Sequence, residues 1–131
     1  MTPPLTAPDA VARADIARRR ALMPYRLRFA FDPGSGMCLW AANDAVRERF
    51  GYPVALDDLP LSEATREAGG RLIRRFDTSV DWDDPGGPSP WSKAESRAFD
   101  AAAWDWLAAA RRELGDGYEI INGRRSVVPH R

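Results

Sequence analysis

The sequence predicts one α+β domain in which a small antiparallel or mixed sheet of about three strands packs against about three helices. Three observations carry this. A strictly alternating run at residues 25–31 has the two-residue period of a half-buried strand. Two later stretches repeat apolar residues at helical spacing, each opened by a serine cap and the second closed by glycine. The chain has 131 residues, 44% of them hydrophobic, enough for one core of ordinary size.

Residues 1–23 read as an arm or frayed helix ahead of the domain. Pro3, Pro4 and Pro8 keep its start irregular, Val11, Ile16, Leu22 and Met23 make no clean stripe, and Pro24 stops it. The domain proper is expected over 24–122. Tyr25, Leu27, Phe29 and Phe31 share one face of a first strand. Asp32-Pro33-Gly34-Ser35-Gly36 is a turn, and Met37–Ala41 is a second short strand that could complete a hairpin. Asn43 is placed to cap a short helix, Asp44–Phe50, closed by Gly51, and Tyr52–Pro60 reads as a loop.

Ser62 caps the next helix, which runs to about Phe76 with Leu61, Thr65, Ala68, Leu72 and Phe76 on one stripe. Gly69-Gly70 inside it leaves three readings open: a kink, a close backbone approach, or a split helix. After a loop from Asp77 to Trp91, Ser92 and Glu95 form a capping box. The longest helix follows, to about Leu114, with Phe99, Ala103, Trp106, Ala110 and Leu114 as its core stripe. Tyr118–Ile121 is a last strand. A basic tail, 123–131, is expected to be mobile.

Net charge is zero but unevenly spread. Residues 1–31 hold six arginines against two aspartates, and residues 77–105 hold seven acids against Lys93 and Arg97. A nucleic-acid-binding domain is usually net basic, since neutralising phosphates drives its affinity; here only the chain ends are, which argues against that partner. No apolar run approaches the roughly 20 residues that span a bilayer, and no secretory pattern opens the chain. One cysteine, Cys38, rules out an internal disulfide framework; the expected compartment is the cytoplasm.

The stretch from Cys38 to Trp91 is distinctive. It holds Leu39-Trp40-Ala41-Ala42-Asn43-Asp44, Phe50-Gly51-Tyr52-Pro53, Leu59-Pro60-Leu61-Ser62, Asp77-Thr78-Ser79-Val80-Asp81-Trp82-Asp83-Asp84-Pro85 and Pro88-Ser89-Pro90-Trp91, before a long helix ending Glu113-Leu114-Gly115. In these pieces the chain resembles a family of small uncharacterised bacterial proteins common in actinomycetes, over roughly residues 26–121. The resemblance implies an autonomous domain in a bacterial cytoplasm and supplies no activity or catalytic residue.

No catalytic constellation emerges from the residues. Cys38 lacks a base, because the one histidine, His130, stands next to the last residue. The same shortage removes a Ser-His-Asp triad and a zinc site, and no phosphate-cradling glycine loop opens a helix. Set against a calcium-loop frame starting at Asp81, Asp83 and Gly86 fall correctly, but Pro85 and Ser92 occupy positions that need ligands. No metal or cofactor is expected.

A surface is the better candidate. Trp104 lies about 140° from Phe99 around the long helix, on a face with Arg97, Asp100, Ala108 and Arg111. Together with Asp81, Trp82, Asp83, Asp84 and Trp91 of the acidic loop, the residues Arg97, Asp100 and Trp104 form the predicted binding set. The bland alternative is that Trp82 or Trp91 folds back on Trp104 and the loop aspartates merely make turns. The function expected is a non-enzymatic protein-interaction module, an adaptor, inhibitor or immunity-type protein with a basic partner. The competing expectation is a small enzyme or ligand binder using Asp81, Trp82, Asp83 and Trp104 around an acidic cleft. A deep pocket with convergent carboxylates would favour the second.

Overall fold

The computed structural model describes residues 10–14 and 24–124. Residues 10–14 are helical and exposed; the rest of the expected N-terminal arm, and the tail beyond Arg124, lie outside the described residues. The domain runs β1 (Tyr25–Phe29), β2 (Leu39–Ala41), α1 (Asp44–Phe50), α2 (Glu63–Asp77), α3 (Lys93–Leu114) and β3 (Tyr118–Asn122). Short 3-10 turns occupy Leu56–Asp58 and Gly115–Gly117.

The strands form one mixed sheet in the order β2-β1-β3, with β1 antiparallel to β2 and parallel to β3. A parallel pair cannot be closed by a tight turn, so the helices are carried in the crossover that brings the chain back to β3. Leu27 sits between Ala41 and Ile120 across the sheet, and Phe29 opposite Leu39. All five are buried on the face that meets Phe99, Ala103, Trp106, Leu107 and Ala110 of α3. The other sheet face keeps Arg26, paired with Glu119 at 2.7 Å, and Ile121 exposed.

The β1–β2 turn contains Gly34 at φ 81°, a conformation open to glycine and costly for other residues. Each strand is two residues shorter than expected, β1 ending at Phe29 and β2 starting at Leu39, where Ser35 Oγ accepts from the Met37 amide and keeps that residue in the turn. Asn43 caps α1 by accepting from the Val46 amide, and its side-chain amide donates to the Pro24 carbonyl at 2.9 Å. One side chain thus ties a helix start to the entry of β1. The segment expected to be a plain loop, 52–60, instead edges β2. The Ala41 amide donates to the Tyr52 carbonyl and the Val54 amide to the Leu39 carbonyl, and Val54 and Leu59 are buried. A single bridge at a proline, Pro53 opposite Trp40, has no alternation for sequence patterning to detect.

Helix α2 is continuous through Gly69-Gly70, so the close-approach reading is the one realised. A Cβ on Gly69 would lie 3.1 Å from the Trp106 ring and 2.5 Å from Leu56 Cδ1. Removing that carbon lets the Trp106 indole reach across and donate to the Thr65 carbonyl at 2.9 Å. The same two helices are also stapled by Glu113. Its carboxylate accepts from the Ser62 amide at 2.7 Å and from the Thr65 and Ser62 hydroxyls.

These bonds, the Ser62 amide first and the Thr65 hydroxyl next, hold the Glu113 carboxyl below its ordinary value of 4.5. A carboxyl lowered in the folded state adds stability above its unfolded value and loses it as pH falls through the folded value. Glu113→Gln is therefore expected to melt below wild type at neutral pH, with the gap closing as the pH drops under 4.5. Thermal melts across that range check this. A gap that stays constant into acid would mean the carboxylate charge contributes nothing.

Candidate functional site

The acidic loop between α2 and α3 is built on fixed points rather than left loose. At its start, Asp77 Oδ1 accepts from the Gly34 amide at 2.9 Å, which docks the loop on the β1–β2 turn. The Trp82 indole donates back to the Asp77 carbonyl at 2.9 Å. Its ring lies over Gly34, where a Cβ would meet Trp82 at 3.3 Å. Asp81 Oδ1 accepts from the Asp83 amide, closing a side-chain turn, and two further backbone bonds link Asp84 to Asp81 and Gly87 to Asp84. At the loop's end the Trp91 indole donates to Thr78 Oγ1 at 2.8 Å, and its ring packs on Phe99 with centroids 5.1 Å apart.

Asp81, Asp83 and Asp84 are exposed, and Trp82 remains 55% exposed although its ring and its N–H are both held. Residues 77–92 contain no lysine or arginine. The loop aspartates therefore do what the bland reading assigns, making turns, and they also present an acidic, aromatic surface of fixed shape. Neither loop tryptophan is folded onto Trp104: Trp82 covers Gly34, and Trp91 covers Phe76 and Phe99.

On α3, Arg97 and Trp104 are exposed, Trp104 by 36%. Asp100 is not on that open face. It is 1% exposed, and its Oδ1 lies 2.6 Å from Nη1 of Arg124. The helical wheel gives the angle of Asp100 correctly but not the width of the buried arc, which the chain leaving β3 extends over it. Gly123 donates to the Phe29 carbonyl, and the Arg124 side chain, 7% exposed, turns inward over the Phe99 ring. The ordered contacts of the domain thus continue into the first residues of the expected mobile tail. Arg124 and Glu113 were not predicted as site or staple residues. An aspartate inside the apolar run Ala98–Ala103 was the available signal for Arg124, since a buried carboxylate needs a partner.

Between Trp91, Phe99 and Arg124 lies a cavity of about 340 Å³, walled by Phe31 and Phe76 as well. Ser79 and Ser89 border it from the loop and Ser96 from α3. None of Asp81, Trp82, Asp83, Asp84 or Trp104 lines it. The convergent carboxylates that an acidic catalytic cleft requires are therefore not brought together here.

The single cysteine is not poised as a nucleophile. The Cys38 thiol is pushed up to about 12 by burial, so it stays protonated at neutral pH. Among the described residues no three His, Cys, Asp or Glu side chains are grouped to hold a metal, and no helix is long and apolar enough to cross a membrane. His130 lies outside the described residues.

No curated protein matches the chain. A family model does match, from Arg26 in β1 to Gly123 beyond β3, and so takes in the sheet, α1 to α3, the acidic loop and the cavity. With residues 26–123 of the 131 covered, the chain belongs to the family described as Serratia CdiI immunity protein-like.

Proposed function

We propose that the chain is an immunity protein that binds a basic toxin in the bacterial cytoplasm and blocks it by occupying its surface, without catalysis. Family membership supplies the class of partner. The observation that carries the choice of surface is Trp82, more than half exposed yet fixed by its bond to Asp77 and its seat on Gly34. An aromatic side chain already held in place loses little further freedom when a partner covers it, which favours a binding anchor. Asp81, Asp83 and Asp84 beside it draw a cationic partner and fix its orientation. Trp91 braces the loop from beneath, and Arg97 and Trp104 extend the contact along α3. Asp100 acts from inside, by holding Arg124 under the same region.

The test uses the cognate toxin, identified by co-purification and then expressed with the chain in a sensitive host. Trp82→Ala should leave the melting temperature within a few degrees of wild type and weaken toxin binding by about 2 kcal/mol or more, so that protection fails at equal protein level. Trp104→Ala should speed dissociation. Full protection by both variants would remove this surface as the toxin site.

A further inference from the structure

The cavity beneath the loop contains a polar group with an unmet requirement. Arg124 is buried over Phe99, and its Nε has no acceptor among the described residues. A buried N–H without a partner is costly, and an acceptor atom supplied by a ligand would remove that cost. The surroundings restrict what that atom belongs to. The cavity, at about 340 Å³, is at the small end of ligand sites, enough for one ring. Its walls are aromatic, with Trp91 and Phe99 rings at 48° to each other, an arrangement that receives a third ring by edge or offset contact. A second carboxylate is disfavoured, because Asp100 already balances the guanidinium at 2.6 Å. A cation would meet Arg124. A purely aliphatic group would leave Nε unpaired.

We propose that this cavity is a socket for one phenolic ring, supplied by a tyrosine side chain of the protein partner. This rests on the reading that the loop face binds that partner. The phenol oxygen accepts from Arg124 Nε–H, and its hydroxyl donates to a bordering serine. Ser89 retains acceptor capacity, since its Oγ takes only the Trp91 amide at 3.1 Å. Ser89 and the Gly123 backbone are exposed and mark the mouth, and the acidic loop springs from the same rim, between Ser79 and Ser89. A tyrosine entering there would lock a complex that the loop charges had first oriented.

The experiment titrates the full chain with p-cresol, which is a tyrosine side chain without its backbone, and with toluene, its phenylalanine counterpart. Binding is followed through the NMR signals of the Trp91 indole and the Arg124 Nε–H. Expected is saturable p-cresol binding that moves both signals, with toluene about fivefold weaker for lack of the hydrogen bond. Arg124→Lys keeps a cation for Asp100 but removes the guanidinium donor, and should abolish the preference for p-cresol. Ser96→Leu fills the cavity and should abolish binding of both probes. Absence of saturable shifts in the wild type, equal binding of the two probes, or a preference that survives Arg124→Lys would overturn the socket. For the tyrosine source, Ser96→Leu should speed toxin dissociation about 30-fold. An unchanged dissociation rate in a variant whose spectrum shows an intact fold would overturn that assignment. The small-probe titration needs no toxin, so its failure is distinguishable from failure of the loop reading.

Discussion

Trp106→Ala is expected to lower the free energy of unfolding by about 3–5 kcal/mol, read from the midpoint of a denaturant titration. The side chain is 4% exposed at the centre of α3 and stacks on Phe29 with ring centroids 5.4 Å apart. It therefore joins the helical layer to the central strand. Its indole N–H also bridges to α2 through the Thr65 carbonyl. Truncation leaves a void whose opposite wall is Gly69, which has no side chain to move into it, so the site collapses poorly and the cost falls toward the upper part of the range. Since domains of this size are stable by only about 5–15 kcal/mol, much of the total would be lost. A midpoint close to wild type would mean that the α2–α3 contact is not organised around this ring.

Asp100→Ala is expected to cost about 3 kcal/mol, because it leaves the Arg124 guanidinium buried without its carboxylate. The value is placed at the lower end of what breaking a buried pair costs because Arg124 lies two residues past β3, outside the sheet, and its side chain can turn out to water. Asp100→Leu combined with Arg124→Met should recover most of the loss, since an apolar pair of similar volume carries no desolvation penalty. A double-mutant cycle on these positions measures the coupling. Additive losses would show that the two side chains do not depend on one another.

Much of the fold was legible because its signals are local. Alternation marked Tyr25, Leu27 and Phe29. Asn43, Ser62 and the Ser92–Glu95 box marked three helix starts, and all are realised with side-chain bonds to backbone amides. The stripe Phe99, Ala103, Trp106, Ala110 and Leu114 is buried throughout. What escaped is non-local. The parallel pairing of β3 with β1 has no turn to announce it, and the bridge at Pro53 rests on two backbone bonds from another part of the chain. Gly69 could be read three ways until Trp106 was seen beside it.

The candidate site divides along the same line. Composition alone exposed the acidic, tryptophan-bearing loop, and its aspartates and Trp82 are at the surface. The bond from Gly34 to Asp77 and the seat of Trp82 on Gly34 join residues more than forty positions apart, and no sequence pattern encodes them. Asp100 was assigned to the open helix face because a wheel reports direction and not cover. Arg124, two residues beyond β3, was read as tail because Asn122-Gly123 is an ordinary stop signal.

The most direct measurement is the association rate of the cognate toxin at several ionic strengths, with the wild-type chain and with Asp81, Asp83 and Asp84 all replaced by asparagine. Those carboxylates stand exposed on a segment without a single basic residue, and exposed charges act over about 10 Å at moderate salt. The wild type should associate rapidly at low salt and slow by about tenfold or more as salt rises. The triple variant should begin slow and respond little, with a similar dissociation rate. Equal association rates and equal salt slopes for the two proteins would contradict the assignment of the acidic loop as the toxin-binding surface.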